Sequence, residues 1–268
     1  MQNTGKIKAK KSLGQNFLKS KVALSAMVSA SDIKNSDTIL EIGPGQGALT
    51  EKLLETGVKV IAVEKDQRLI KILEDKFVDK ITQNQLTLIY GDILEINLEK
   101  LDFKTVDYKL IANIPYYITG LIFRKFLEGN IQPSKIVIMV QKEIADRIIA
   151  RDKKENLLSL SIKAYGKCKK VMKVEKEHFS PKPKVDSAIL LIDDISKGFF
   201  SDITEKDFFE VIKTGFAHKR KVLIANLKGK FADKDLKNIF KITNISEKAR
   251  AEDLTLENWK ELVKNIKQ

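Results

Sequence analysis

Asn113-Ile114-Pro115-Tyr116, directly after a β-branched run, carries the most specific chemistry in the chain. The Asn113 amide oxygen and the Pro115 carbonyl, turned outward by the proline ring, can accept the two hydrogens of an exocyclic amine, while the Tyr116 ring stacks on the purine that bears it. Such an amine is a weak nucleophile because its lone pair is delocalised into the ring. Accepting both hydrogens favours a pyramidal nitrogen aimed at an electrophile, and pre-oriented dipoles of this kind strongly favour a transition state. With an already activated donor, alignment does most of the remaining work and no base is needed at the start. That suits a chain whose only histidines are His178 and His218. Alone, the tetrapeptide reads equally well as a strand-to-helix turn with a core tyrosine, so its neighbours decide.

Those neighbours are Glu41-Ile42-Gly43-Pro44-Gly45-Gln46-Gly47, Glu64 and Gly91-Asp92, each at the end of a predicted strand. Strand ends of this kind bind nucleotide-like ligands in α/β sheets, and Gly43 and Gly45 let backbone approach one closely. Glu64, about twenty residues on, can accept from both hydroxyls of a ribose, and Asp92 from an adenine amino group. The GxGxG spacing differs from the dinucleotide fingerprint GxGxxG and calls for no pyrophosphate, so S-adenosylmethionine fits better than NAD. A lone glycine cluster also serves as a tight turn; in register with Glu64 and Asp92 it points to an adenosine.

Strands must deliver these residues. Runs at 38–42, 58–64, 86–90, 107–113, 135–141, 170–177 and 185–192 alternate with helical stretches, the pattern of a doubly wound α/β sheet. Between the first two, Leu49, Leu53 and Leu54 recur at helical spacing and Gly57 offers a stop. His178–Lys184 replaces a helix between the last two, which predicts an antiparallel hairpin at the sheet edge. After about Lys197 the strand signal stops, and Phe208, Phe209, Ile212 and Phe216 repeat helically. The expected architecture is therefore a Rossmann-like seven-stranded domain with a basic arm over 1–197 and a small α-helical domain over 198–268.

Composition narrows the partners. Of 268 residues 43% are hydrophobic, enough for a sizeable core, and 49 Lys and Arg against 36 Asp and Glu give a formal charge of +13, which favours a polyanion, with nucleic acid the first candidate. Six lysines and no acid precede Asp32, and Lys219-Arg220-Lys221 forms a second cluster; both suit phosphate contacts, although lysine-rich solvated faces are common. One cysteine, Cys168, excludes an internal disulfide and a cysteine-based zinc site, and no metal site is expected. No apolar run approaches the ~20 residues of a membrane span, and no secretory signal is evident. The expected compartment is the cytoplasm.

These motifs, with Leu13-Gly14-Gln15-Asn16-Phe17-Leu18, Leu49-Thr50, Met139-Val140-Gln141-Lys142-Glu143 and Phe179-Ser180-Pro181-Lys182-Pro183-Lys184-Val185-Asp186-Ser187-Ala188, resemble the ribosomal RNA adenine dimethyltransferase family, in its bacterial small-subunit branch. The resemblance implies a seven-stranded methyltransferase sheet with a helical C-terminal domain. It also implies transfer from S-adenosylmethionine to N6 of two adjacent adenosines in a hairpin near the 3′ end of 16S rRNA, within an immature 30S subunit, by a monomer. By the same resemblance Asn16, Leu18, Gly43, Glu64, Asp92 and Asn113 touch the cofactor, Phe179 faces the target base, and the basic cluster at 219–221 contacts RNA. Glu155-Asn156-Leu157-Leu158-Ser159 departs from the family's Tyr-Gly before Leu-Ser. Large-subunit adenine methyltransferases share the motifs, but the stretch Phe216–Leu227 favours the small-subunit group. DNA adenine methylation disagrees with the tetrapeptide, and cytosine C5 methylation needs a cysteine nucleophile that Cys168, far from the strand-end motifs, does not offer. A binding protein that keeps the fold for ribosome assembly remains an alternative.

Overall fold

The computed structural model describes residues 8–101, 103 and 107–267; the first seven residues of the basic arm lie outside them. All seven expected runs become strands: β1 (Thr38–Ile42), β2 (Lys59–Glu64), β3 (Leu86–Tyr90), β4 (Tyr108–Asn113), β5 (Lys135–Gln141), β6 (Lys167–Val174) and β7 (Ser187–Asp193). They form one sheet in the order β3-β2-β1-β4-β5-β7-β6. β1 pairs in parallel with β2 and β4, β2 with β3, and β4 with β5. Parallel strands covered on both faces read as unbroken apolar runs, and β1 is buried at every position.

β7 runs antiparallel to β5, with Ser187 opposite Gln141 and Ile192 opposite Ile136. The last two strands are neighbours as expected, but the later one lies inside and β6 forms the edge. Burial explains the order. β7 reads SAILLID and is buried at five of its seven positions, whereas β6 reads KCKKVMKV, and its lysines suit a strand with one side open.

Helices join the strands. α1 (Lys21–Ala30) starts on Ser20, whose hydroxyl accepts from the Ala23 amide at 3.2 Å. α2 (Ala48–Leu54) starts from Gly47 at φ +78, where a Cβ would sit 2.6 Å from the Phe77 ring, so only glycine fits both the turn and the packing. α3 (Gln67–Lys76) is capped by Asp66, and α4 (Val78–Thr82) leads to β3. After β4 the chain makes a tight turn at Tyr116–Ile118, enters α5 (Thr119–Phe123) and widens into one π-helical turn at Arg124–Glu128. α6 (Lys142–Ile148) follows β5. A short antiparallel ribbon ties the arm down, with Phe17 opposite Ser180 and Leu18 opposite Phe179.

By internal contacts the chain divides into two units, one of Met1–Ala145 with Lys169–Ile195 and one of Asp146–Cys168 with Ser196–Gln268. A single cut after residue 197 therefore does not describe the contacts, because the segment between α6 and β6 associates with the C-terminal helices. α7 (Leu157–Lys163) packs on α8 (Glu205–Gly215), the Tyr165 hydroxyl donates to Glu205, and the Glu155 amide donates to the Glu252 carbonyl. Asn156, part of the family departure, caps α7 in a reciprocal bond pair with Ser159. α9 (Leu223–Lys228), α10 (Leu236–Ile242) and α11 (Leu256–Lys267) complete the unit around fully buried Phe208, Phe240 and Trp259.

Candidate active site

Four successive parallel strands end at the same edge of the sheet, as a topological switch site requires. β1 runs into the glycine turn, β2 ends on Glu64, β3 is followed by Gly91-Asp92, and β4 ends on Asn113. They bound a cavity of about 680 Å³, whose wall includes Asn16, Leu18, Gly43, Gly45, Glu64, Asp92, Asn113, Pro115 and Tyr116. Every cofactor residue expected from the sequence is thus brought to one place.

Glu64 is the hub of the glycine turn. One carboxylate oxygen accepts from the Gly45 amide at 3.1 Å and the other from the Asp66 amide at 2.8 Å. Burial raises its pKa against those amides, and each oxygen keeps a further lone pair for a ligand. For Asp92, burial works to raise the pKa, but Lys65 at 2.5 Å and the Leu94 amide prevail and hold it below the ordinary value. The loop after Asp92 is fastened by Lys125, whose ammonium donates to the carbonyls of Leu94 and Ile96 at 3.1 and 2.7 Å. Burial lowers the pKa of Lys125.

The arm closes one side. Gln15 donates to Asp66 at 3.0 Å, and a Cβ on Gly45 would meet the Phe17 ring at 3.1 Å. The Asn113 amide nitrogen donates to the Asn16 carbonyl at 3.5 Å, which leaves the Asn113 Oδ1 turned away from that bond. The Pro115 carbonyl accepts one bond, from the Ile118 amide at 3.3 Å, and retains its second lone pair. Tyr116 is fixed by a 2.6 Å bond between its hydroxyl and that of fully buried Ser187 at the start of β7. Burial raises the Tyr116 pKa, so the phenol stays neutral.

Phe179 departs from expectation. It is 4% exposed, sits in the apolar core opposite Leu18 and does not line the cavity; Ser180 and Pro181 do. The short ribbon points its side chain inward, which makes it a support beneath Leu18. Lys219, Arg220 and Lys221 lie on an exposed turn, with no ion-pair partner among the described residues. Buried Asn226 holds that turn by donating to the carbonyls of Gly215 and His218 at 2.6 and 3.1 Å.

Sequence reasoning missed Ser187, Gln15, Asp66, Lys125 and the chemistry of Glu41. Glu41 is fully buried on the cavity wall, neither carboxylate oxygen has a hydrogen-bond partner among the described residues, and burial pushes its pKa up to about 8. That orphaned acid, the glycine turn and the open lone pairs of Glu64 and Asp92 form a donor and acceptor set that fits an adenosine carrying a polar amino-acid tail. Cys168 is no nucleophile: burial pushes its thiol up to about 12. Among the described residues no cluster suits a metal ion, and no helix is long and apolar enough to cross a membrane.

Strand order, glycine turn and strand-end acids together define a Rossmann-like methyltransferase. Comparison with known proteins narrows the class. The family profile described as Ribosomal RNA adenine dimethylase matches residues 6–268. Ribosomal RNA small subunit methyltransferase A of Dehalococcoides mccartyi (strain CBDB1) is 42% identical over 258 residues, covering 96% of this chain and 88% of that protein. The protein of the same name from Fusobacterium nucleatum is 40% identical over 266 residues, covering 96% and 97%. Among solved structures, a dimethyladenosine transferase from Plasmodium falciparum superposes with TM-score 0.76 at 27% identity over 91% of this chain and 95% of that one. The 23S rRNA methyltransferase ErmE gives TM-score 0.77 at 21% identity over 94% and 100%, a likeness of fold. The chain belongs to the ribosomal RNA adenine dimethylase family, whose chemistry implies S-adenosylmethionine as methyl donor.

Proposed function

We propose that this chain, a cytoplasmic monomer, methylates N6 of two adjacent adenosines in a hairpin near the 3′ end of 16S rRNA within an immature 30S subunit, giving N6,N6-dimethyladenosine. The observation that carries the reading is the convergence of Asn113, Pro115 and Tyr116 on the wall of the cavity that also holds Glu64 and Asp92. S-adenosylmethionine, when bound, supplies a methyl group activated by a positively charged sulfur. Gly43, Gly45 and Glu64 hold its ribose side, Asp92 its adenine, and Asn16, Leu18 and Asn113 its amino-acid end.

The chain's own residues then act on the acceptor. Asn113 Oδ1 and the free lone pair of the Pro115 carbonyl accept the two amine hydrogens, and the Tyr116 ring, locked by Ser187, stacks on the extruded base. The exposed cations at 219–221 contact phosphates and set register, while the cavity selects adenine.

Mass spectrometry of immature 30S particles incubated with the protein and labelled S-adenosylmethionine tests this, with 23S RNA and naked 16S RNA alongside. N6,N6-dimethyladenosine in the particles is expected; a methylated cytosine or guanine, or preference for 23S RNA, overturns it. Asn113→Ala is expected to lower single-turnover transfer by on the order of a hundredfold or more while RNA affinity stays near wild type.

A further inference from the structure

Large apolar side chains exposed at a cavity mouth ask for a partner. Tyr117 is 65% exposed and Leu121 47% exposed, and both line the mouth of the cavity whose interior holds Tyr116. The two tyrosines are consecutive yet divergent. Tyr116 is pinned inward by Ser187, whereas the Tyr117 hydroxyl has no hydrogen-bond partner among the described residues, and its Cδ1–Cε1 edge rests against the arm, where a Cβ on Gly14 would meet Cε1 at 3.2 Å. The ring is therefore backed by a glycine rather than loose, which lowers the entropy lost when something stacks on its open face. Lys65 and Lys8, both exposed, line the same cavity.

An open aromatic face, an aliphatic neighbour and the exposed ammonium of Lys8 form a platform for a nucleotide, the ring for the base and the cation for phosphate, while the Lys65 ammonium is held by Asp92. In the functional reading above the cofactor and the target base on Tyr116 take the interior, which leaves the mouth to the neighbouring nucleotide, with its base on Tyr117. We propose that Tyr117, with Leu121, forms a second nucleobase subsite that stacks on the adenine next to the one being methylated. The subsite rests on the adenosine-pair reading above and extends it. Tyr117 acts there as a specificity-determining residue, because a purine offers the ring more stacking surface than a pyrimidine.

The test uses 30S particles assembled with 16S RNA in which one adenosine of the pair is replaced, in turn, by guanosine or uridine. KM and kcat for dimethylation of the remaining adenosine are measured with wild type, Tyr117→Ala and Tyr117→Phe. Stacking is worth about 1–3 kcal/mol per base, so loss of the ring in Tyr117→Ala should cost roughly fivefold or more in KM, and for one of the two positions a uridine neighbour, with less surface to stack, should raise the wild-type KM over guanosine by a smaller factor, with less effect on kcat. Tyr117→Ala should raise the KM of the purine-neighbour particle and erase that difference; Tyr117→Phe should restore it. A wild-type enzyme indifferent to the neighbour, or discrimination that survives in Tyr117→Ala, overturns the subsite while leaving the functional reading in place. An equal loss in Tyr117→Ala on every particle assigns the ring to a protein contact and also overturns it. A wild type that forms no N6,N6-dimethyladenosine on unaltered particles overturns the functional reading and the subsite together.

Discussion

Glu64→Ala separates two roles that the structure gives to one carboxylate. Its oxygens accept from the Gly45 and Asp66 amides at 3.1 and 2.8 Å, and hydrogen bonds to a charged group are worth about 1.5–3 kcal/mol each. Removing the side chain forfeits both, but it also relieves the desolvation that raises the Glu64 pKa. The net loss should be about 2–3 kcal/mol, lowering Tm by roughly 4–12 °C for a chain of this size. The same change removes the acceptor pair proposed for the ribose diol, worth a further ~2–3 kcal/mol, or roughly 30- to 150-fold in the Kd for S-adenosylmethionine. Glu64→Gln keeps the volume and one acceptor and should fall between. Thermal unfolding and calorimetric titration of all three proteins read the two roles independently. An alanine variant with unchanged Tm refutes the part in holding the glycine turn, and an unchanged Kd refutes the part in binding.

Glu41 predicts a pH dependence. Its pKa is raised from 4.5 to about 8, so the folded state holds a proton that the unfolded state releases; the stabilising effect is full below pH 4.5 and is lost as pH rises towards 8, by at most ~1.4 kcal/mol per pH unit. Glu64 and Lys76 are the charged groups that bear on it, and Glu41→Gln should flatten the fall in Tm over that window; an unchanged slope excludes Glu41 as its source. Tyr116→Phe and Ser187→Ala each break the 2.6 Å hydroxyl pair and should each weaken target capture, with a double variant little worse than either. Single-turnover rates against RNA concentration check this, and additive losses would dissociate the pair. Reversing the charges of Lys219, Arg220 and Lys221 should lower RNA affinity and flatten its dependence on salt, with S-adenosylmethionine affinity preserved; an unchanged slope of log affinity against log salt makes the turn an ordinary solvated face.

The strand-end motifs were legible because α/β chemistry is local in sequence. A glycine turn, an acid after the next strand and Asn113-Ile114-Pro115-Tyr116 each follow their own strand, so recognising seven apolar runs was enough to place them at one edge. The acceptor set could be read because residue types that hold an exocyclic amine lie within four positions. Residues acting across the fold left no such mark. Ser187 is an ordinary serine until β7 slips between β5 and β6 and carries it to Tyr116. Gln15 matters through Asp66, 51 positions away, and Lys125 through carbonyls that any loop possesses. Phe179 carries the opposite lesson: its motif was recognised, but a two-residue pairing with Leu18 turned the ring into the core.

Sequence alone determined the elements, the strand-end chemistry and the charge, since propensity, periodicity and motif spacing act over a few residues and persist in any conformation. Tertiary structure decided which strand lay inside the sheet, which segment joined the helical unit, which way Phe179 faced and which hydroxyl held Tyr116. Those outcomes depend on competition for buried surface and on bonds between residues far apart in the chain. Even the perturbed acidity of Glu41 belongs to that second group, because a glutamate acquires it only when the packed sheet takes its carboxylate out of water.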